Sequence, residues 1–113
     1  MQYLLLIYEN ESGRQNIDRQ KLMEEYGKFT KSIIDSGHFK GGDGLQPTST
    51  ATTVRLKNGK PVTTHGPFAE TREALIGYNA IEAKDLDQAL EIAARVPAAK
   101  TGSIEVRPVM VYN

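Results

Sequence analysis

Thr52-Thr53-Val54-Arg55-Leu56-Lys57-Asn58-Gly59-Lys60-Pro61-Val62-Thr63-Thr64 is the stretch on which the reading of the fold turns. Asn-Gly between two β-prone runs is a strong hairpin signal, because a two-residue connection that matches the twist of its strands needs positive φ at both central positions. Threonine, valine and arginine suit a half-exposed ribbon. Residues 52–64 are therefore expected to form a hairpin. Whether it joins the main sheet or is inserted beside it depends on what flanks it.

Downstream, residues 75–84 read as a strand, with Ile76, Tyr78 and Ala80 on one face and Leu75, Gly77, Asn79, Ile81 and Ala83 on the other. Asp85 followed three residues later by Gln88 resembles a capping box and opens a helix. Leu86, Ala89, Leu90 and Ala93 form its apolar stripe, and Pro97 ends it. Residues 103–111 form a last strand, which Pro108 interrupts or confines to an edge.

Upstream, Gly41-Gly42-Asp43-Gly44 packs three glycines into four residues. A phosphate cradle would need a strand before it and a helix after it. Here a helix precedes and a strand-like run follows, so an irregular or bulged strand is expected. That preceding helix spans about residues 16–36. Leu22, Tyr26, Phe29 and Ile33 share one face, widened by Met23 and Ile34. Asn16 is placed to cap it, with Asp18 in the first turn, and Gly37 to stop it. Gly27 costs about 1 kcal/mol against alanine inside a helix, which predicts a close approach to the sheet. Residues 2–8 form the first strand and do not alternate: Tyr3, Leu4, Leu5, Leu6, Ile7 and Tyr8 are all apolar or aromatic. Such a strand is covered on both faces. Helices cover one face, and a second subunit is the economical cover for the other.

The order is thus β, α, irregular β, hairpin, β, α, β. With the hairpin treated as an insertion, βαββαβ remains, the ferredoxin-like plan: an α+β domain with an antiparallel sheet and two helices on one face. The 113 residues suit one domain, 1–113. Lysine plus arginine equals aspartate plus glutamate, 14 each, spread evenly along the chain, which argues against a nucleic-acid surface. The absence of cysteine excludes disulfides, thiolate metal sites and a cysteine nucleophile. Residues 1–8 lack the marks of a signal peptide or membrane span, so a cytoplasmic protein is the expectation.

The candidate chemistry lies in Thr64-His65-Gly66-Pro67-Phe68-Ala69-Glu70-Thr71-Arg72-Glu73, which joins the hairpin to the next strand. Gly66-Pro67 sets the turn, and Phe68 is expected to be buried as its anchor. His65 has an imidazole suited to proton transfer near neutral pH, and Glu70 or Glu73 is placed in sequence to orient it. Arg72 and Arg55 could hold a carboxylate or phosphate. A ligand site is expected here, at the sheet rim beside Asp43 and its glycines. His38, next to Gly37, reads as a cation at a helix C-terminus. Two histidines without converging ligands do not make a metal site, and no cofactor-binding motif is present.

His65-Gly66-Pro67-Phe68-Ala69-Glu70-Thr71-Arg72-Glu73-Ala74-Leu75-Ile76-Gly77-Tyr78 resembles the signature of the YCII-related family, in its DGPF branch. The runs 4–8, 44–47, 50–55 and 103–108 resemble that branch in the expected order. His65 stands where the branch usually has aspartate. The resemblance implies a ferredoxin-like fold dimerising through the sheet face opposite the helices, with the hairpin as a branch-typical insertion. Some broader members are proposed to use a His-Asp dyad with the histidine on the first helix. Residues 16–36 contain no histidine, so that dyad does not carry over.

Two functions follow as expectations. One is a small-molecule-binding or accessory regulatory domain, since branch members are often associated with extracytoplasmic-function sigma factors. The other is a cofactor-free isomerase- or lyase-like enzyme acting on an oxygenated ring compound, with His65 or Glu70 moving the proton. In either case a homodimer is expected, with no nucleic-acid or membrane partner.

Overall fold

The computed structural model describes residues 1–14 and 17–112. In chain order the strands and helices are β1 (Gln2–Glu9), α1 (Arg19–Asp35), β2 (Phe39–Gly44), β3 (Thr52–Lys57), β4 (Lys60–His65), β5 (Ala74–Glu82), α2 (Leu86–Ala94) and β6 (Ser103–Pro108). Four strands form one antiparallel sheet in the order β2-β5-β1-β6, and β3-β4 form a separate two-stranded sheet. This is the ferredoxin-like arrangement with the hairpin set outside it.

Register decides which side chains face the helices. Tyr3, Leu5 and Ile7 pair with Ile81, Asn79 and Gly77 on β5, and with Pro108, Val106 and Ile104 on β6. Tyr3, Leu5, Ile7 and Ile81 are buried and meet Phe29 and Ile33 of α1 and Ala89, Ile92 and Ala93 of α2. β1 therefore alternates in burial although it does not alternate in sequence: Leu4, Leu6 and Tyr8, on the other face, are only half-buried.

A bulge opposite Ile7/Tyr8 changes the parity of β5. Tyr8 pairs with Leu75, Ile7 with Gly77, and Ile76 is the extra residue. Ile76 therefore packs against the helix-side core, and the strict alternation expected for residues 75–84 fails at its start. β2 carries the bulge foreseen from its glycines, between Phe39 and Gly41. β6 is an edge strand that ends at Pro108, as that proline required.

The helix ends follow local chemistry. The Asp18 carboxylate accepts from the Lys21 backbone N–H at 3.1 Å and caps α1. The expected cap at Asn16 lies outside the described residues. Gly37 stops the helix with φ 82°, a conformation in which other residues are strained. Asp85 accepts from the Gln88 N–H at 2.9 Å, and the Gln88 side chain accepts from the Lys84 N–H at 2.8 Å. The box thus closes one residue earlier than the standard form.

Several expectations about burial are corrected. Met23 and Ile34 are 74% and 52% exposed, so the buried face of α1 is the narrower Phe29–Ile33 line. Nothing lies within 4 Å of where a Cβ on Gly27 would sit, and nothing in the structure explains that glycine. On α2, Leu86 and Leu90 are exposed, while Ala89, Ile92, Ala93 and then Val96 face the sheet. The alanines let α2 approach closely, which turns the two leucines outward.

Phe68 is the largest correction. It is 78% exposed rather than buried. The hairpin stands off the main sheet, so the loop leaving it has no core beneath it to receive a ring. Phe68→Ala is accordingly expected to shift the unfolding free energy by no more than about 0.5 kcal/mol, as for an ordinary surface substitution. A denaturant melt checks this, and a loss of several kcal/mol would contradict the observed placement.

Candidate functional site

Glycines shape a cavity at one corner of the sheet. Gly42 pairs with Asn79, and Gly44 with Gly77, on the helix-facing side of β2 and β5. Three of those four positions carry no side chain, so the sheet is thin at this corner. The C-terminal half of α1 is seated by buried Phe29 and Ile33, whereas Leu22 and Tyr26 in its first half are only half-buried. Between that half-helix and the glycines lies a cavity of about 410 Å³. Its walls include Ile7, Leu22, Tyr26, Phe39 and Ile76.

One carboxamide opens into this apolar space. Asn79 is 9% exposed and lines the cavity. Its side chain has no hydrogen-bond partner among the described residues, and no fully enclosed side-chain polar atom among them lacks one. Its polar atoms therefore face the cavity. Gly42 makes the room for it. A Cβ there would lie 2.5 Å from Asn79 Oδ1 and 2.7 Å from the Tyr78 carbonyl oxygen. Gly77 is constrained by the opposite strand, since a Cβ would lie 3.0 Å from the Asp43 carbonyl oxygen. The glycine cluster thus serves backbone approach and an amide niche, with no helix following it to hold phosphate.

The open face of the sheet carries two tyrosine–carboxylate pairs. Tyr78 Oη donates to Asp43 Oδ2 at 2.7 Å, and Tyr8 Oη donates to Glu105 Oε1 at 3.3 Å. The bond to Asp43, and then its charge, raise the Tyr78 pKa above the usual tyrosine value. Partial burial does most to raise Tyr8, followed by the charge of Glu105 and its hydrogen bond, against a smaller lowering by Arg107. Both phenols are held neutral across the physiological range. They act as hydrogen-bond donors between apolar Leu4 and Leu6 and the polar sheet edges.

The residues singled out in the signature loop are dispersed. His65, at the end of β4, is exposed, as are Glu70 and Arg72. None of the three side chains has a hydrogen-bond or ion-pair partner among the described residues. Arg55 is exposed on the hairpin. Glu73 is half-buried and its Oε1 accepts from Ser103 Oγ at 2.7 Å. Asp43 is the one member that borders the cavity. His38 uses Nδ1 at 2.7 Å from the Glu82 carbonyl oxygen and so ties the start of β2 to the end of β5.

Sequence reasoning did not reach Asn79. Its parity with Ile81 and Ala83 was readable, and an asparagine on the buried face of a strand is the available signal, because a buried amide needs a partner.

Comparison with known proteins places these features in a family. The family model for the YCII-related domain matches residues 1–113. An uncharacterised protein of Rhizobium meliloti (strain 1021) is 33% identical over 118 aligned residues, which cover 100% of this chain and 95% of that protein. With its sheet order, its inserted hairpin and its match from end to end, the chain belongs to the YCII-related family.

Proposed function

We propose that this chain is a small-molecule-binding domain whose ligand occupies the cavity between α1 and strands β2 and β5. The observation that carries the reading is Asn79: a buried carboxamide without a partner among the described residues, opening into a largely apolar space. Binding sites for small molecules are typically about 300–1,000 Å³, apolar, with few polar groups that fix orientation. The cavity, at about 410 Å³, fits that description. A carboxamide both donates and accepts, so the ligand class is a compact apolar or aromatic molecule with one hydroxyl, carbonyl or carboxyl group.

Proton transfer by His65 or Glu70 receives no support from geometry, because both are exposed and neither side chain has a partner among the described residues to orient it. Within the family we assign the chain to the DGPF branch, on the run Gly66-Pro67-Phe68-Ala69-Glu70. We further propose a cytoplasmic homodimer joined through the open sheet face, where Leu4, Leu6 and Tyr8 are half-buried without a covering layer. No helix among the described residues is long and apolar enough to cross a membrane.

The test is a binding titration with phenol, acetophenone and benzoic acid, each compared with toluene, by protein-observed NMR. Saturable shifts of the Asn79 side-chain amide by at least one polar probe, with weaker binding of toluene, are expected. Equal binding of toluene and the polar probes would remove the role given to Asn79.

A further inference from the structure

The β3-β4 hairpin is two-faced. Register places Thr52, Val54, Leu56, Pro61, Thr63 and His65 on one side. The other side carries Arg55, Lys57 and Lys60 with Thr53, Val62 and Thr64. All three cations are on the second side, and the first carries no Lys, Arg, Asp or Glu. Val54 and Leu56, on that first side, are 62% and 75% exposed.

The other described residues do not cover that apolar side. Among the described residues β3 and β4 pair only with each other. The attachment is at the base: the Gly66 N–H donates to the Ala51 carbonyl at 2.7 Å, and Thr53 Oγ1 donates to the Gly66 carbonyl at 2.8 Å. The base itself is held by Glu11, whose carboxylate accepts from the Thr48 N–H at 2.9 Å and from Thr48 Oγ1 at 2.5 Å. The molecule measures 48 × 46 × 18 Å, with a radius of gyration of 16.1 Å. A compact chain of this length would have about 13 Å. The hairpin projects. An isolated two-stranded hairpin is marginal in water without a layer against it.

Charge identifies what could cover it. Read along the chain the charges looked even, but between Asp43 and Glu70 there is no carboxylate at all. The hairpin takes three of the 14 cations and none of the 14 carboxylates, which leaves the remainder with 11 cations against 14 carboxylates. A basic arm and an acidic body on the same chain are complementary between two copies. The body also offers an uncovered apolar surface, the open sheet face with Leu4, Leu6 and Ala80 at its centre, where Asp43 and Glu105 flank it together with one cation, Arg107.

We infer that the hairpin is an arm that packs its Val54–Leu56–Pro61 side on a second copy of this chain, at the partner's open sheet face. The inference rests on the homodimer proposed above and adds the exchange of arms, one in each direction about a two-fold axis, so that each interface is the same patch on both copies. His65 shares the buried-going side of the arm and is carried onto the partner with it. Lys57 and Lys60, at the tip, meet the acidic body.

The chain has no cysteine, so Leu56→Cys is a unique attachment point. Labelled with a benzophenone maleimide and irradiated in an equal mixture of ¹⁴N and ¹⁵N chains, it is expected to give covalent dimers of mixed isotope, mapped to residues 2–9 or 74–82 of the other chain. Sedimentation is expected to show a dimer for the unaltered protein and at least tenfold weaker dimerisation for the doubly substituted V54D/L56D. Cross-links confined to single chains would overturn the arm. So would a V54D/L56D protein that dimerises as tightly as the original. If in that case Leu6→Asp still dissociates the dimer, the sheet-face interface stands and only the arm is lost. A monomer at every concentration up to 1 mM would overturn both.

Discussion

Leu5→Ala is expected to lower the free energy of unfolding by about 2–5 kcal/mol, the usual cost of removing a large aliphatic side chain from a closed core. Leu5 has 0% exposure at the centre of β1, between β5 and β6 and beneath both helices. Its neighbours across the strands are Asn79 and Val106. They cannot close the gap, because the glycines at 42 and 77 already leave the adjacent corner of the sheet thin. Against a typical total stability of about 5–15 kcal/mol, the loss would lower the melting temperature by about 10–20 °C. Leu4→Ala, on the half-buried open face, should cost much less in the monomer and show its effect in dimerisation. Denaturant melts of the two variants check the contrast. Equal losses independent of protein concentration would mean that the two faces of β1 are equally covered within one chain.

Asn79→Leu is expected to separate stability from binding. The carboxamide has no partner among the described residues, so an apolar replacement of similar size removes a buried polar group without breaking a hydrogen bond to them. Stability should be unchanged or higher. Binding of a ligand through a hydroxyl or carbonyl group should fall by about ten- to a hundredfold, since leaving such a group unpaired in an apolar site costs about 1–3 kcal/mol. Gains in stability at the expense of function are typical of binding sites. Gly42→Ala should also reduce binding, by driving its methyl against Asn79 Oδ1 and the Tyr78 carbonyl, and here stability should fall as well. Thermal melts with and without a bound probe read both quantities. If Asn79→Leu destabilised the free protein by more than about 2 kcal/mol, the amide would hold the structure together rather than await a ligand.

The fold was legible because its determinants are local. Asn58-Gly59 adopts φ 53° and 77°, as the hairpin required. Asp85, Gly37 and Pro108 mark their element ends by backbone chemistry that operates within a few residues. The uninterrupted apolar run of β1 pointed to two covered faces, and the alternation in its burial shows where the helices stop covering it.

The site was much less legible. A cavity is a property of what is missing from two facing elements, and three glycines on different strands reveal it only once Gly42–Asn79 and Gly44–Gly77 are known to be neighbours. Closeness in sequence within residues 64–73 overstated closeness in space. An extended loop carries each side chain in its own direction, and His65, Glu70 and Arg72 end up exposed and unpaired among the described residues. Phe68 failed as an anchor for a related reason, since the burial of an aromatic ring depends on whether a core lies beneath its loop.

The most direct test of the ligand cavity is a ¹H–¹⁵N spectrum of the protein titrated with phenol, acetophenone and benzoic acid. Saturable shifts at the Asn79 side-chain amide and at the backbone amides of Gly42, Gly44 and Tyr26, lost in Asn79→Leu, are the predicted result. Shifts confined to residues 65–73, or none at saturating concentration of any of the three, would contradict the assignment of the site between α1 and the glycine corner of the sheet.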